Sequence, residues 1–330
     1  MAGESDPERL AAALIAGDRR ALARAITLVE STRADHRDAA EKLLTAILPR
    51  TGGATRLGIT GSPGVGKSTF IEAFGKLLIA RGHRVAVLAI DPSSKRAGGS
   101  ILGDKTRMAE LAGDLRAFIR PSPAGKSLGG VARRTRDAML LAEVAGFDIV
   151  IVETVGVGQS ETAVADLVDL FMLLIAPGGG DDLQGIKKGI VELADLLIVN
   201  KADGDLAPAA RRAVADYRHA LRMLRPPAEA DGPGAEVLAV SALEGKAIDK
   251  VWDTVEARIA AARKSGALTR RREAQARAAL ESEIGDGLMD RFRADQSVAR
   301  LLRTLETRVA ARKLTPSAAA RQALDAFAKN

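Results

Sequence analysis

The chain contains no cysteine, which excludes a disulfide framework and any thiolate metal site. Imidazole is almost as scarce: His36, His83 and His219 lie far apart and suit surface or packing positions. One tryptophan and one tyrosine leave little with which to stack on nucleic-acid bases. No uninterrupted apolar run reaches the roughly 18 residues of a membrane-crossing helix. The start of the chain is acidic, then alanine-rich and interrupted by Asp18 and Arg19, unlike a secretory signal. From these absences we expect a cytoplasmic protein that binds neither nucleic acid nor membrane.

What remains is an ordinary globular composition, with 47% hydrophobic residues over 330 positions. The net charge of +7 is uneven: residues 1–50 are neutral, 51–250 carry +1 and 251–330 carry +6. The basic residues of the last segment alternate with Ala and Leu at helical spacing, so they read as a solvated helical face rather than a nucleic-acid surface.

The chain is organised around Leu57-Gly58-Ile59-Thr60-Gly61-Ser62-Pro63-Gly64-Val65-Gly66-Lys67-Ser68-Thr69. An apolar strand enters a glycine-rich turn and then an amphipathic run, and Gly61, Gly66, Lys67 and Ser68 fit G-x-x-x-x-G-K-[ST], the phosphate-binding P-loop. Glycines at 64 and 66 let successive N–H groups aim inward at a polyphosphate, and the helix that follows adds its positive end. Lys67 can neutralise the outer phosphates, and the Ser68 hydroxyl can hold Mg²⁺.

Around it, short apolar runs alternate with longer amphipathic ones. Strands are expected at Leu57–Thr60, Val85–Ile90, Arg116–Ile119, Ile149–Val152, Phe171–Ile175, Leu196–Val199 and Val237–Val240. Nearly continuous Val, Ile and Leu suits strands buried on both faces. Helices between them give an α/β, mainly parallel sheet of P-loop type with helical extensions at both ends. The parts are an N-terminal helical extension (1–53), a nucleotide domain (54–246) and a C-terminal helical region (247–330) expected to act as a dimerisation arm. Leu301, Leu302, Leu305 and Val309 recur at helical spacing and are expected to pack on the domain, the N-terminal extension or another chain.

On such a sheet ligands sit beyond the carboxyl ends of strands, where the polar residues of this chain gather. Asp91 ends the second expected strand and can bind Mg²⁺ through water. Asp104 and Arg107 are three apart and would share a helix face. Glu153-Thr154-Val155-Gly156 ends a buried strand with an acid and places Gly three later. The acid can hold the magnesium's water shell, and the Gly156 N–H can reach a terminal phosphate. Where a water-orienting Gln often follows that glycine, this chain has Val157, and Gln159 comes two positions later. Slow unaided hydrolysis is therefore expected. Asn200-Lys201-Ala202-Asp203 fits N-K-x-D: the Asp203 carboxylate can accept from guanine N1–H and its amine together, a pair adenine does not offer. Lys201 can lie along the base, Asn200 can brace the loop, and Ser241-Ala242-Leu243 can add a backbone donor. The expected ligands are GTP or GDP with Mg²⁺.

The full set of motifs resembles the MeaB/ArgK family of P-loop GTPases across nearly the whole chain. The most telling stretches are Asp91-Pro92-Ser93-Ser94, Gly98 to Met108, Glu153 to Glu161, and Gly178-Gly179-Gly180-Asp181-Asp182-Leu183-Gln184-Gly185-Ile186-Lys187. The resemblance implies a homodimer that uses GTP hydrolysis to gate cofactor loading of adenosylcobalamin-dependent methylmalonyl-CoA mutase and to protect or reactivate it. It also implies that Asp91, Asp104 and Glu153 serve magnesium and the switch loops, while Asp181, Gln184 and Lys187 form a switch that reports to the mutase. Relatives in the wider class carry a lysine directly after the first P-loop glycine; Ser62 stands there, so no lysine acting across a dimer is expected. Two rivals share the motifs. A nickel-insertion GTPase would need thiolate and imidazole ligands that this chain lacks. A kinase of an amino-acid transport protein would need an acceptor base, and none is visible.

Overall fold

A computed structural model describes residues 6–31, 33–91, 108–123, 128–154, 160–178, 188–224 and 234–328. Its centre is a seven-stranded sheet in the order β3-β2-β4-β1-β5-β6-β7. The strands are β1 (Thr55–Gly61), β2 (Val85–Asp91), β3 (Ala117–Pro123), β4 (Ile149–Thr154), β5 (Leu170–Ile175), β6 (Leu196–Val199) and β7 (Glu236–Ala239). Every neighbouring pair is parallel. The expected and observed strands overlap throughout, with the largest difference at β3, which runs on through Pro121 to Pro123. That strand forms one edge of the sheet, where proline's missing N–H is tolerated.

Successive side chains point to opposite faces, so each central strand feeds two cores. Ile149 and Ile151 join Leu57, Ile59, Leu170 and Met172 under helices Lys67–Ala80 and Ile248–Lys264. Val150 and Val152 join Phe171 and Leu173 on the other face, under helices Leu128–Val144 and Ala207–Leu224. The helix that follows the phosphate loop is held by aromatic packing: Phe70 stacks on Phe74 at 5.4 Å, and Trp252 tilts against Phe74 at 6.2 Å. Such pairs contribute about 0.5–1.5 kcal/mol each beyond burial. Trp252 and the single tyrosine, Tyr217, are both buried.

The N-terminal extension forms helices Pro7–Ile15, Arg19–Glu30 and Ala34–Ile47. Asp6 and Asp18 cap the first two, each side chain accepting from backbone amides of the first turn. Leu14, Leu22, Ile26, Leu43 and Ile47 are buried in the same core cluster as Met139 and Leu141. Arg120 of β3 also reaches back to Glu30 at 2.6 Å.

Two compact units are present, Met1–Arg272 and Glu273–Asn330. Within the first, the amino end of the sheet is closed by an ionic network. Arg272 donates to both Asp169 oxygens at 2.8 and 2.6 Å, and to the Gly52 and Ala54 carbonyls at 2.6 and 2.7 Å. Asp169 also accepts from the Arg56 amide at 2.8 Å. Glu143 accepts from the Arg56 guanidinium at 2.7 Å and from the Gly52 amide. Burial works against the Arg272 charge, but the hydrogen bond and charge of Asp169, with help from Glu143, outweigh it and raise its pKa.

In the second unit, Leu305 packs with Ala319 and Ala323, joined by Phe292, Leu301, Leu302, Val309 and Leu314. These residues therefore find partners within their own unit, an option outside the three the sequence suggested. Thr315 caps the last helix, Pro316–Phe327, as its Thr-Pro-Ser break foretells. Among the described residues no helix is long and apolar enough to cross a membrane.

Candidate functional site

β1, β4 and β2 lie side by side, so their last residues Gly61, Thr154 and Asp91 lie at one carboxyl edge. The loop after β1 turns tightly, with Val65 N–H donating to Ser62 O at 3.3 Å and Phe70 N–H donating to Gly66 O at 2.9 Å. Gly66 caps helix Lys67–Ala80 with φ 93°, a left-handed conformation. A Cβ there would also sit 2.7 Å from Asn200 Nδ2, and one on Gly61 would sit 2.5 Å from the Leu174 carbonyl. Both glycines are thus required by close approach as well as by conformation.

Lys67 is buried, and its ammonium donates to the carbonyls of Gly61 at 2.7 Å and Ser62 at 3.2 Å. Ser62, Pro63 and Gly64 are exposed at the rim, Val65 is buried, Ser68 is half-buried and Thr69 exposed. A cation held beneath a ring of exposed backbone at a helix start is suited to receive phosphate oxygens.

Glu153, the last but one residue of β4, has a buried side chain and lies opposite Ile59 in the register with β1. Asp91 is the last residue of β2; its side chain lies outside the described residues. Ser68 and Glu153 offer oxygen donors only. Among the described residues no group of three or more His, Cys, Asp or Glu could cage a metal alone. That donor set fits magnesium, which is commonly held by one or two carboxylates together with water and phosphate oxygens.

Asn200 is buried between two loops. Its Nδ2 donates to Val65 O at 2.9 Å, while its Oδ1 accepts from Ala242 N–H at 3.1 Å. These two bonds tie the phosphate loop to the loop after β7. Lys201 is exposed and adopts φ 58°, unusual outside glycine. The Ser241 hydroxyl donates to the Asp203 carboxylate and accepts from Glu244 N–H at 3.1 Å. From the sequence, Ser241 has a part only through its loop's backbone; a serine just past the strand that follows N-K-x-D is the available signal. Leu243 is 80% exposed at the tip of this turn. Lys246, which pairs with the Ser241 backbone in both directions, has its pKa raised chiefly by the hydrogen bond with Glu244 and then by that carboxylate's charge, with Asp203 adding least.

Gly61 to Thr69, Glu153, Asn200, Lys201, Asp203 and Ser241 to Leu243 thus share the carboxyl edge of one sheet. Asp104, Arg107 and Gly156, and the candidate switch residues Asp181, Gln184 and Lys187, lie outside the described residues.

A parallel sheet with this loop after its first strand and N-K-x-D after its sixth defines a P-loop GTPase. The family model described as methylmalonyl Co-A mutase-associated GTPase MeaB matches residues 22–297, and the chain belongs to that family. It is 48% identical to GTPase ArgK of Escherichia coli over 93% of this chain and 92% of that protein. It is 46% identical to the mitochondrial methylmalonic aciduria type A homolog of Mus musculus, over 97% of this chain and 79% of that protein. A crystal structure of an LAO/AO transport system kinase superposes with TM-score 0.78 at 39% identity, covering 100% of both chains.

Proposed function

We propose that this GTPase is a chaperone of adenosylcobalamin-dependent methylmalonyl-CoA mutase, using GTP hydrolysis to gate cofactor loading and to protect or reactivate the enzyme. The observation that carries the reading is the match to a mutase-associated family model over residues 22–297. The mouse relative, named for methylmalonic aciduria, supports it. Adenosylcobalamin belongs to the mutase, not to this chain.

In this reading Lys67 and the amides from Gly61 to Thr69 bind the phosphates of GTP or GDP. Ser68, Glu153, Asp91 and Asp104 would hold Mg²⁺, whose charge offsets that developing on the transferred phosphoryl group. Gly156 N–H would sense the terminal phosphate, and Arg107 would join the catalytic set. Asp203 reads the guanine edge with Ser241 holding its carboxylate, Lys201 lies on the base, and Ala242 and Leu243 complete the pocket. Asp181, Gln184 and Lys187 report nucleotide state to the mutase. The protein works in the cytoplasm as a homodimer through its C-terminal region. Supporting the last point, Leu280, Ile284 and Leu288 are 53–61% exposed at four-residue spacing along helix Ala267–Ala294.

Affinity capture from the native cell, with and without a non-hydrolysable GTP analogue, tests the partner. Nucleotide-dependent recovery of the mutase is expected, and its absence in both states would remove the proposal. The transport-kinase relative keeps a second reading in view: product analysis separates free phosphate from a phosphorylated acceptor.

A further inference from the structure

A side-chain hydrogen bond joins the strand leading into the phosphate loop to β4 next to Glu153, and it belongs to neither motif's known chemistry. The Thr154 hydroxyl donates to the Thr60 hydroxyl at 2.7 Å, and both residues have no exposed surface. Ile59 faces Glu153 in the register of β1 with β4, so the two threonines are the next residues along each strand. Their other neighbours across the sheet are apolar: Leu173 lies beside Thr60, and Ile90 beside Thr154.

Stability alone does not account for hydroxyls in this layer. A buried hydrogen bond nets only about 0.5–1.5 kcal/mol, and replacing both partners with apolar groups of the same shape is nearly neutral. Valine has the shape of threonine and already fills Val150 and Val152 of the same strand. What a hydrogen bond adds over a methyl contact is direction, because it fixes the offset of one strand end against the other. Thr60 immediately precedes Gly61, whose carbonyl accepts from Lys67, and Thr154 immediately follows Glu153. A shift of the β4 end would move the Glu153 carboxylate relative to the phosphate loop, and small misplacements cost rate steeply.

We propose that the Thr60–Thr154 pair is a positioning device for GTP hydrolysis, holding the Glu153 strand end in register with the phosphate loop. It rests on the assignment of Lys67 to phosphate and Glu153 to magnesium. Neither threonine is asked to touch the nucleotide, so the pair should act on turnover rather than on binding.

The test uses the full-length chain and the variants Thr154→Val, Thr60→Val, the double valine and Thr154→Ser, with GTP and GDP affinity by titration calorimetry, turnover by phosphate release, and thermal melting. Thr154→Val is expected to keep nucleotide affinity within about twofold while kcat falls roughly tenfold, as losing an outer-shell partner costs. Its melting temperature should drop because the Thr60 hydroxyl loses its partner, and the double valine should recover it. Thr154→Ser should restore most of the rate. The double valine should fall no further than either single variant, because all remove one bond. Wild-type kcat in Thr154→Val, equal losses of affinity and rate, failure of serine to rescue, or additive losses would each overturn the proposal. If Thr154→Val does not fold, Thr60→Val and the volume-matched double variant carry the same comparison. Lys67→Ala in parallel separates the readings. Retained GTP binding there defeats the site assignment and the inference with it, whereas lost binding beside a normal Thr154→Val defeats the positioning role alone.

Discussion

The two ends of the sheet hold comparable amounts of charge and use it in opposite ways. At the amino end, Arg272, Asp169, Arg56 and Glu143 answer one another and the backbone of residues 52–56. At the carboxyl end, Lys67 leans on loop carbonyls, Asp203 on one serine, and the rim residues Ser62, Pro63 and Gly64 face outward. The first arrangement is complete in itself; the second has donors and acceptors to give to a ligand. Charge at the closed end should therefore govern folding, and charge at the open end should govern binding.

The largest expected effect falls at the closed end. Asp169→Ala leaves the Arg56 amide without its acceptor and the Arg272 guanidinium with only the Gly52 and Ala54 carbonyls and no carboxylate. Breaking such a buried pair costs about 3–5 kcal/mol. Urea unfolding should show that loss, while nucleotide affinity per folded molecule stays at the wild-type value; a stable variant with weakened binding would erase the distinction. Lys67→Ala should do the reverse. It removes charge-assisted contacts to phosphate of about 2 kcal/mol each, so two of them make roughly a thousandfold loss of GTP affinity. Unfolding should be unchanged or improved, and calorimetric titration with GTP checks the first half.

Asp203→Asn sharpens the picture of the open end. The amide is expected to weaken GTP binding about a hundredfold and to favour xanthine nucleotides, whose base presents an acceptor where guanine presents a donor. Titration with GTP, XTP and ATP decides it, and unchanged GTP affinity would take Asp203 out of this role. The smallest effect belongs to neither end: Asp18→Ala should cost about 1 kcal/mol through the lost cap of helix Arg19–Glu30 and leave binding alone. Thermal melting beside a nucleotide titration measures both.

The open end was legible from sequence and the closed end was not. Gly61, Gly66, Lys67 and Ser68 lie within eight positions, because one turn must wrap one phosphate chain, and Asn200 and Asp203 stand in a single tetrapeptide. The strands were legible because burial on both faces leaves unbroken apolar runs such as Ile149 to Val152. By contrast, the Arg272 contacts span 103 to 220 positions, and nothing distinguishes that arginine among 49 basic residues. The Thr60–Thr154 bond spans 94 positions and joins residues that β-propensity alone would explain. The partners of Leu305 were missed for another reason: Ala319 and Ala323 are too small to announce a core.

The Arg272 network has a consequence for modularity. Gly52 opens the path into β1, and Arg272 is the last residue of the first compact unit. The 2.6 Å bond between the Arg272 guanidinium and the Gly52 carbonyl puts those two points within one side chain's reach. The sheet and its flanking helices thus form a loop of chain whose two ends meet. Domains whose ends are close tolerate being spliced into a host loop or being cyclically reordered, but here helices Pro7–Ile15, Arg19–Glu30 and Ala34–Ile47 share the core beneath the sheet, so any such transfer has to carry them along.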